Sequence, residues 1–426
     1  MKKQVTVKKP VADQSQKHSF LKTALSILLI PVLLAGSVPA VYAQDEFTSE
    51  EETVQEAPAD EHTASYYEEP QTDSIKGWPK GPLVEGSAAI VLDLETEAIL
   101  YAKNIDERHY PASVTKLMTG LLACEALDPT TSFAMSEAAA YGIEPGSSSI
   151  YGDVDEVFTV EQAIMALMLE SANEMAMALG ELVSGSVKKF VELMNQRARE
   201  LTCTRTHFNN PHGLPDETHY TTARDMAKIA RAAWQNKTFR AYFTNDYYEI
   251  PPTNVMNETR YLLNHHKMMA GRDYAYNGVV GGKTGYTDDA GNTLVTFARR
   301  DGISVVVVVL GSTGGAYADT ASLLDYTFDN FKHMNMRIDP NPTPVLLPGE
   351  ALTLTGSEDA PGAFVYRTSV IVTVPQDTKR SAITRKQSLL ANSAGPYRIK
   401  SKYYLDDHQV GWGMQYEEKV MPFVNR

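Results

Sequence analysis

The sequence is poor in cysteine. Only Cys124 and Cys203 occur among 426 residues, which excludes a disulfide framework and permits at most one bridge. Free, buried thiols are the expectation. Positive charge is also short: 39 Lys and Arg against 53 Asp and Glu leave a formal net charge of −14, the wrong sign for a nucleic-acid partner. The apolar run 24–36 falls short of the roughly 20 residues that a membrane-spanning helix needs. No G-x-S-x-G elbow is present, and His265-His266 lacks the H-E-x-x-H spacing of a zinc protease, so neither chemistry is expected and no metal or cofactor is implied. There is no internal repeat.

What the chain does hold begins with an export pattern. Lys2, Lys3, Lys8, Lys9, Lys17 and Lys22 precede the apolar run, and Val41-Tyr42-Ala43 is small at the positions that flank a cleavage point. Residues 1–43 therefore read as a signal peptide cleaved after Ala43, with an uncleaved membrane tether as the alternative. Ser37 follows Leu34-Ala35-Gly36 where a lipoprotein would need cysteine. Residues 44–75 carry eleven Asp and Glu and no Lys or Arg, the composition of an acidic, disordered spacer. At the other end, Val420 to Arg426 is too short and proline-broken for a helix lying in a membrane surface, so no C-terminal anchor is expected. The expected location is the cell-wall space or the medium.

Between these ends the hydropathy pattern predicts a catalytic-sized domain over 76–335 and a small β-rich domain over 336–426. Ala88–Leu92 and Ala98–Tyr101 read as a hairpin joined across Asp93-Leu94-Glu95-Thr96, followed by a helix apolar nearly all round from Leu117 to Leu127. Thr159-Val160-Glu161-Gln162 is a capping box before the helix from Ala163, and Thr222 caps another. Further helices are expected over 174–183, 190–201 and 317–331. Val279–Thr284, Thr293–Ala298 and Ile303–Gly311 read as strands; Val305–Val309 is apolar on both faces, which predicts a central strand covered by helices. Pro340, Pro342, Pro344 and Pro348 then break the chain before β-type runs such as Ser369–Val374.

Three short patterns carry chemistry. Ser113 and Lys116 stand one helical turn apart at the start of the buried helix, so the amine can reach the hydroxyl, and burial beside other cations lowers a lysine toward its free-base form. Ser171-Ala172-Asn173 interrupts an apolar helical stretch with small polar residues. Lys283-Thr284-Gly285 ends a strand: the lysine and threonine offer a cation and a hydroxyl to a carboxylate, and the glycine leaves room for a close backbone approach such as that of a peptide substrate. Each alone is compatible with ordinary helix starts, turns and strand ends. Together, in this order, they form the set shared by β-lactamases and penicillin-binding proteins.

From about Gly86 to Phe331 the chain resembles the serine-type D-alanyl-D-alanine carboxypeptidases, the low-molecular-mass penicillin-binding proteins. The resemblance rests on Pro111–Lys116, Ser171–Asn173, Asn210-Pro211-His212-Gly213-Leu214, Thr222–Met226 and Lys283-Thr284-Gly285-Tyr286-Thr287. It implies an α/β (α+β) fold, an antiparallel sheet covered by helices with a helical subdomain, and a small C-terminal all-β domain. It also implies that Ser113 attacks the carbonyl between two terminal D-alanines while Lys116 takes its proton. Ser171 would relay a proton to the leaving amine, Asn173 would bind the substrate amide, and Lys283 and Thr284 would hold the terminal carboxylate. Backbone N–H groups of Ser113 and Tyr286 would form the oxyanion hole. Peptidoglycan stem peptides are the implied substrates and β-lactams the implied covalent inhibitors. His212 is expected to shape a turn with Gly213, not to transfer protons. Two rival readings remain at this level, a β-lactamase and a catalytically silent binder of wall peptides. The first needs a deacylating glutamate, and Glu192 in Glu192-Leu193-Met194-Asn195 does not match Glu-x-x-Leu-Asn and falls on the solvated helix face.

Overall fold

The computed structural model describes residues 62–336, 363–366, 370–390 and 398–418. The expected signal peptide, the spacer up to residue 61 and the extreme C-terminus lie outside the described residues.

The predicted strands and helices appear in order. β1 (Ala88–Asp93) and β2 (Ile99–Lys103) form the hairpin, and α1 (Lys116–Ala126) follows. β3 (Ser132–Ala134), α2 (Glu137–Tyr141) and β4 (Val157–Thr159) lead into α3 (Val160–Leu169), α4 (Asn173–Ser184) and α5 (Val187–Glu200). α6 (Ala223–Gln235), α7 (Lys237–Phe243), β5 (Tyr247–Ile250) and β6 (Arg260–Leu263) come next. Of these, β3, α2, β4, α7, β5 and β6 join the predicted elements without having been predicted. β7 (Val279–Thr287), β8 (Gly291–Arg300), β9 (Ile303–Ser312) and α8 (Ala316–Asn330) close the first body. β10 (Phe331–Asn335), β11 (Ala363–Tyr366), β12 (Ile371–Pro375), β13 (Ile383–Leu390), β14 (Arg398–Leu405) and β15 (His408–Glu418) make a second sheet. The capping box at Thr159 is complete, and Thr222 and Ser186 cap α6 and α5 through their hydroxyls.

The first sheet runs β2-β1-β9-β8-β7, all antiparallel, with β9 at its centre. Strand alternation divides the core. Ile90, Leu92, Val306 and Val308 join one apolar cluster with α1, α3, α4 and α6, whereas Ala89, Val91, Val305, Val307 and Val309 join another with α8 and the second sheet. Both faces of β9 are therefore covered, which is why it reads as an unbroken valine run. β7, bearing Lys283-Thr284-Gly285, is the edge strand of this sheet.

Two expectations are corrected. Residues 62–75 are not a disordered spacer: Ala64–Tyr67 and Gln71–Ser74 form 3-10 turns, Thr72 is buried, and Asp73 accepts the Gly81 N–H at 2.8 Å. Composition counts the charges of this stretch but not the partners waiting for them, here Gly81 and Asn104, which donates to Glu68. The second sheet also begins earlier than residue 336. β10 follows α8 without an intervening residue and pairs antiparallel with β12 from Phe331↔Pro375 to Asn335↔Ile371. No turn residue marks that junction, whereas the prolines beyond it do.

Candidate active site

Ser113 lies in a 3-10 turn, Ala112–Thr115, that runs directly into α1. Ala112 adopts φ +49°, a left-handed conformation costing a non-glycine residue roughly 1–3 kcal/mol, and the surroundings hold it there. A Cβ on Gly213 would come within 1.9 Å of the Ala112 carbonyl oxygen, and one on Gly285 would come within 2.8 Å of the Ser113 backbone nitrogen. Thr293 on β8 donates to the Pro111 carbonyl at 2.9 Å. The serine turn is thus clamped between two backbones that approach as only glycine allows. The expectation at Gly285 is a close backbone approach such as that of a peptide substrate; the backbone that approaches it in the structure is the protein's own Ser113 turn.

Lys116 is fully buried, and its Nζ meets three oxygens: Ser113 Oγ at 3.0 Å, Asn173 Oδ1 at 2.6 Å and the His212 carbonyl at 2.7 Å. As an ammonium it donates to all three. A neutral amine has two N–H bonds and one lone pair, and two of these three oxygens can only accept. The lone pair is therefore left facing Ser113 Oγ, whose O–H is the one group able to donate to it. Burial, then the neighbouring charge of Lys283, push the Lys116 pKa well below the usual lysine value, against a smaller opposing pull from Glu174.

Lys283 is buried on β7, and its Nζ donates to the Thr284 carbonyl at 2.9 Å. Burial lowers its pKa to about 7, and Glu170 pulls the other way. Thr284 is half-buried beside it. Ser171 links α3 to α4 at φ +60°, is buried, and its hydroxyl has no partner among the described residues. A buried, strained, unpaired hydroxyl between two helices is a costly arrangement for stability alone. Tyr286 places its backbone on the edge strand while its ring stands exposed, its hydroxyl donating to Asp288 at 3.0 Å.

The structure thus brings Ser113, Lys116 and Asn173 into direct contact, and it seats Gly285 against the serine turn. Lys283 touches none of these three by hydrogen bond and acts on Lys116 through charge. Several residues escaped the sequence reading. The His212 carbonyl holds Lys116, while the His212 ring accepts the Leu214 N–H and is kept neutral, its pKa pushed down to about 3 by burial and then by Lys116 and His219. The ring therefore shapes the turn, as expected. His219 braces the turn from beneath through Thr115 Oγ1 at 2.9 Å. Glu174, fully buried next to Asn173, accepts the Ile150 N–H at 2.7 Å. An acid amid Met175, Ala176, Ala178 and Leu179 was the one signal for it. Both cysteines are free, with burial raising each thiol to about 12. Among the described residues no three His, Cys, Asp or Glu side chains come together as a metal site, and no helix is long and apolar enough to cross a membrane.

Residues 77–314 match the D-alanyl-D-alanine carboxypeptidase family model, more than half of the chain. The chain belongs to that family. It is 30% identical to D-alanyl-D-alanine carboxypeptidase DacF of Bacillus subtilis (strain 168), over 73% of this chain and 72% of that protein. It is 28% identical to D-alanyl-D-alanine carboxypeptidase DacA of Escherichia coli (strain K12), over 60% of this chain and 64% of that one. Among solved structures, penicillin binding protein 5 from Haemophilus influenzae superposes with a TM-score of 0.64, covering 80% of this chain and 98% of that one at 24% identity, a likeness of fold. D-alanyl-D-alanine carboxypeptidase from Mycobacterium tuberculosis H37Rv gives 0.54 at 28% identity, over 62% and 96% of the two chains.

Proposed function

We propose that this chain is a serine D-alanyl-D-alanine carboxypeptidase that trims the terminal D-alanine from peptidoglycan stem peptides and is acylated by β-lactams at the same residue. The observation that carries the reading is the set of three oxygens around Lys116 Nζ, which leaves the neutral amine one acid to act upon, the Ser113 hydroxyl. Ser113 Oγ attacks the carbonyl between the two D-alanines as Lys116 takes its proton. Charge developing on the carbonyl oxygen meets the Ser113 N–H and the Tyr286 N–H. Ser171, with its unpaired hydroxyl, passes a proton to the departing amine, and water then releases the shortened peptide. Lys283 and Thr284 receive the terminal carboxylate, and Asn173 contributes its amide N–H₂ to the substrate while its oxygen stays on Lys116.

With the boundary moved to the end of α8, residues 76–330 carry catalysis, and the chain is exported by residues 1–43 for peptidoglycan maturation. Incubation of the purified protein with a pentapeptide ending in D-Ala-D-Ala, with free D-alanine assayed, tests the activity. Rapid turnover of penicillin without D-alanine release would replace it with the β-lactamase reading, although Glu192 is exposed on α5 as the sequence indicated. Mass spectrometry of the mature N-terminus tests export: a chain beginning near Gln44 supports it, and a retained 24–36 segment in membranes refutes cleavage.

A further inference from the structure

One stretch of the second sheet is basic in an otherwise acidic chain, with Asp377, Asp406 and Asp407 just outside it. In a chain of net charge −14, residues 378–405 hold seven Lys and Arg and no Asp or Glu. Strand alternation sorts them. On β14, Ile399, Ser401 and Tyr403 are buried inward, so Lys400, Lys402 and Tyr404 stand on the outer face. Register extends that face across three strands: Lys386 on β13 lies opposite Lys402, which lies opposite Trp412 on β15, and Lys400 lies between Ser388 and Met414.

Lys386 and Lys402 are like charges directly opposite one another, an arrangement that destabilises a sheet. The aromatic rings offset part of this. Lys386 Nζ sits 4.6 Å from the Tyr404 ring centre and Lys400 Nζ 4.9 Å from that of Trp412. None of the three lysines has a carboxylate partner among the described residues. A fold gains nothing from stacking unpaired cations on a partly exposed face, but an extended polyanion laid across the strands would relieve the repulsion.

We infer that the outer face of β13, β14 and β15 is a docking surface for the carboxylate-bearing glycan mesh of peptidoglycan, separate from the Ser113 site. The inference rests on the wall-peptide reading given above. Charge complementarity selects an anion; Trp412 and Tyr404 interleaved among the lysines fit sugar rings; and the row Thr384, Lys386, Ser388, Lys400, Lys402 is polar. Leu390 at its end is the one exposed large aliphatic side chain among the described residues of β13, too little to seat the face in a bilayer. The surface holds the enzyme on the polymer whose stem peptides it trims.

The test is co-sedimentation of the full mature chain with purified peptidoglycan stripped of phosphate-bearing polymers, beside Lys386→Glu/Lys402→Glu and Lys386→Gln/Lys402→Gln variants. The expected result is pelleting that falls at least tenfold in the Glu variant, less in the Gln variant, and that weakens for wild type as salt rises. Lys386→Glu alone should melt no lower than wild type, since it turns a repulsive cross-strand pair into an attractive one. D-Alanine release from a soluble pentapeptide should be unchanged in all variants. Equal pelleting of wild type and the Glu variant would overturn the proposal, as would binding only to unstripped wall or only to anionic phospholipid vesicles. Pelleting without D-alanine release from soluble peptide by the wild type would leave the surface assigned and remove the carboxypeptidase reading instead.

Discussion

Gly285→Ala tests the site at its tightest point. Gly285 is not in a left-handed conformation, so an alanine is free to adopt its backbone, and the effect must come from space alone. The new methyl would stand 2.4 Å from Thr293 Oγ1, 2.8 Å from the Ser113 nitrogen and 3.1 Å from Ala112 Cβ. Thr293 can turn its hydroxyl away, at the cost of its bond to Pro111. The Ser113 nitrogen cannot, because it belongs to the backbone. Bringing that contact to an ordinary 3.5 Å or more moves the serine turn by about 0.7 Å relative to β7. Both proposed oxyanion donors straddle this contact, one on each side. Losing such a donor costs about 10²–10³ in rate, and a 1 Å misplacement about 10². The expected loss in the acylation rate constant with a chromogenic penicillin is therefore between about ten- and a hundredfold. Overpacking of this kind destabilises by roughly 1–3 kcal/mol, which for a chain of this length shifts melting by only a few degrees. Gly314→Ala, with nothing within 4 Å of the added methyl, is the matched control and should be silent. A folded Gly285→Ala enzyme acylating at the wild-type rate would show that the Ser113 turn and β7 do not act as one rigid pair.

Three other outcomes are expected. Ser113→Ala should abolish both D-alanine release and penicillin labelling while melting stays near wild type, and Lys116→Arg should be nearly as damaging, since a guanidinium does not surrender its proton near neutral pH and its fork cannot fit three converging oxygens; labelling of either variant at the wild-type rate counts against its assigned role. The pH profile of kcat/KM should rise as Lys116 deprotonates and fall above about 7 as Lys283 loses its charge. An amidated substrate should lack the upper limb, and equal upper limbs on both substrates would take Lys283 off the carboxylate. Away from the site, His333 donates to the buried Asp93 at 2.8 Å, and although burial lowers its pKa, the bond to and the charge of Asp93 raise it above the ordinary 6.5. Its stabilising contribution should be whole below pH 6.5 and disappear as pH rises through the folded value, so urea midpoints should decline over that interval in wild type and stay flat in Asp93→Asn.

Much of this architecture was legible from residue pattern. The valine run 305–309 specified the central strand because only a sheet covered on both faces tolerates it, and Thr159 and Gln162 announced α3 because the capping-box spacing is followed there by an apolar helical run, unlike the same spacing at Thr384 and Gln387 inside β13. The site was legible as a set of motifs but not as a geometry. Nothing in Ser-x-x-Lys says that a carbonyl from residue 212, about a hundred positions away, completes the environment of Lys116. A backbone oxygen has no letter in the sequence. The same holds for Gly213 and Gly285, whose presence was visible but whose neighbour, the Ala112–Ser113 turn, follows only from the packing of distant strands. Residues 62–75 and 331–335 were misassigned for a related reason, since composition and proline punctuate the chain locally while partners such as Gly81 and Pro375 come from elsewhere.

The direct passage from α8 into β10 has a mechanical meaning. Asn330 ends the helix, Phe331 begins the strand, and Trp78, Tyr326 and Phe331 pack ring against ring around that point. Thr96 and Thr373 share a buried hydrogen bond at 2.6 Å nearby, and Thr373 also donates to Asp93. A joint of this kind has no spare chain between the sheets, so a pull on β13–β15 is expected to be passed toward the catalytic sheet through packed rings and not through a linker. An enzyme gripped by that arm would not wander over its polymer but would work within a fixed reach, so its yield would depend on how the mesh moves past it as much as on how fast it turns over.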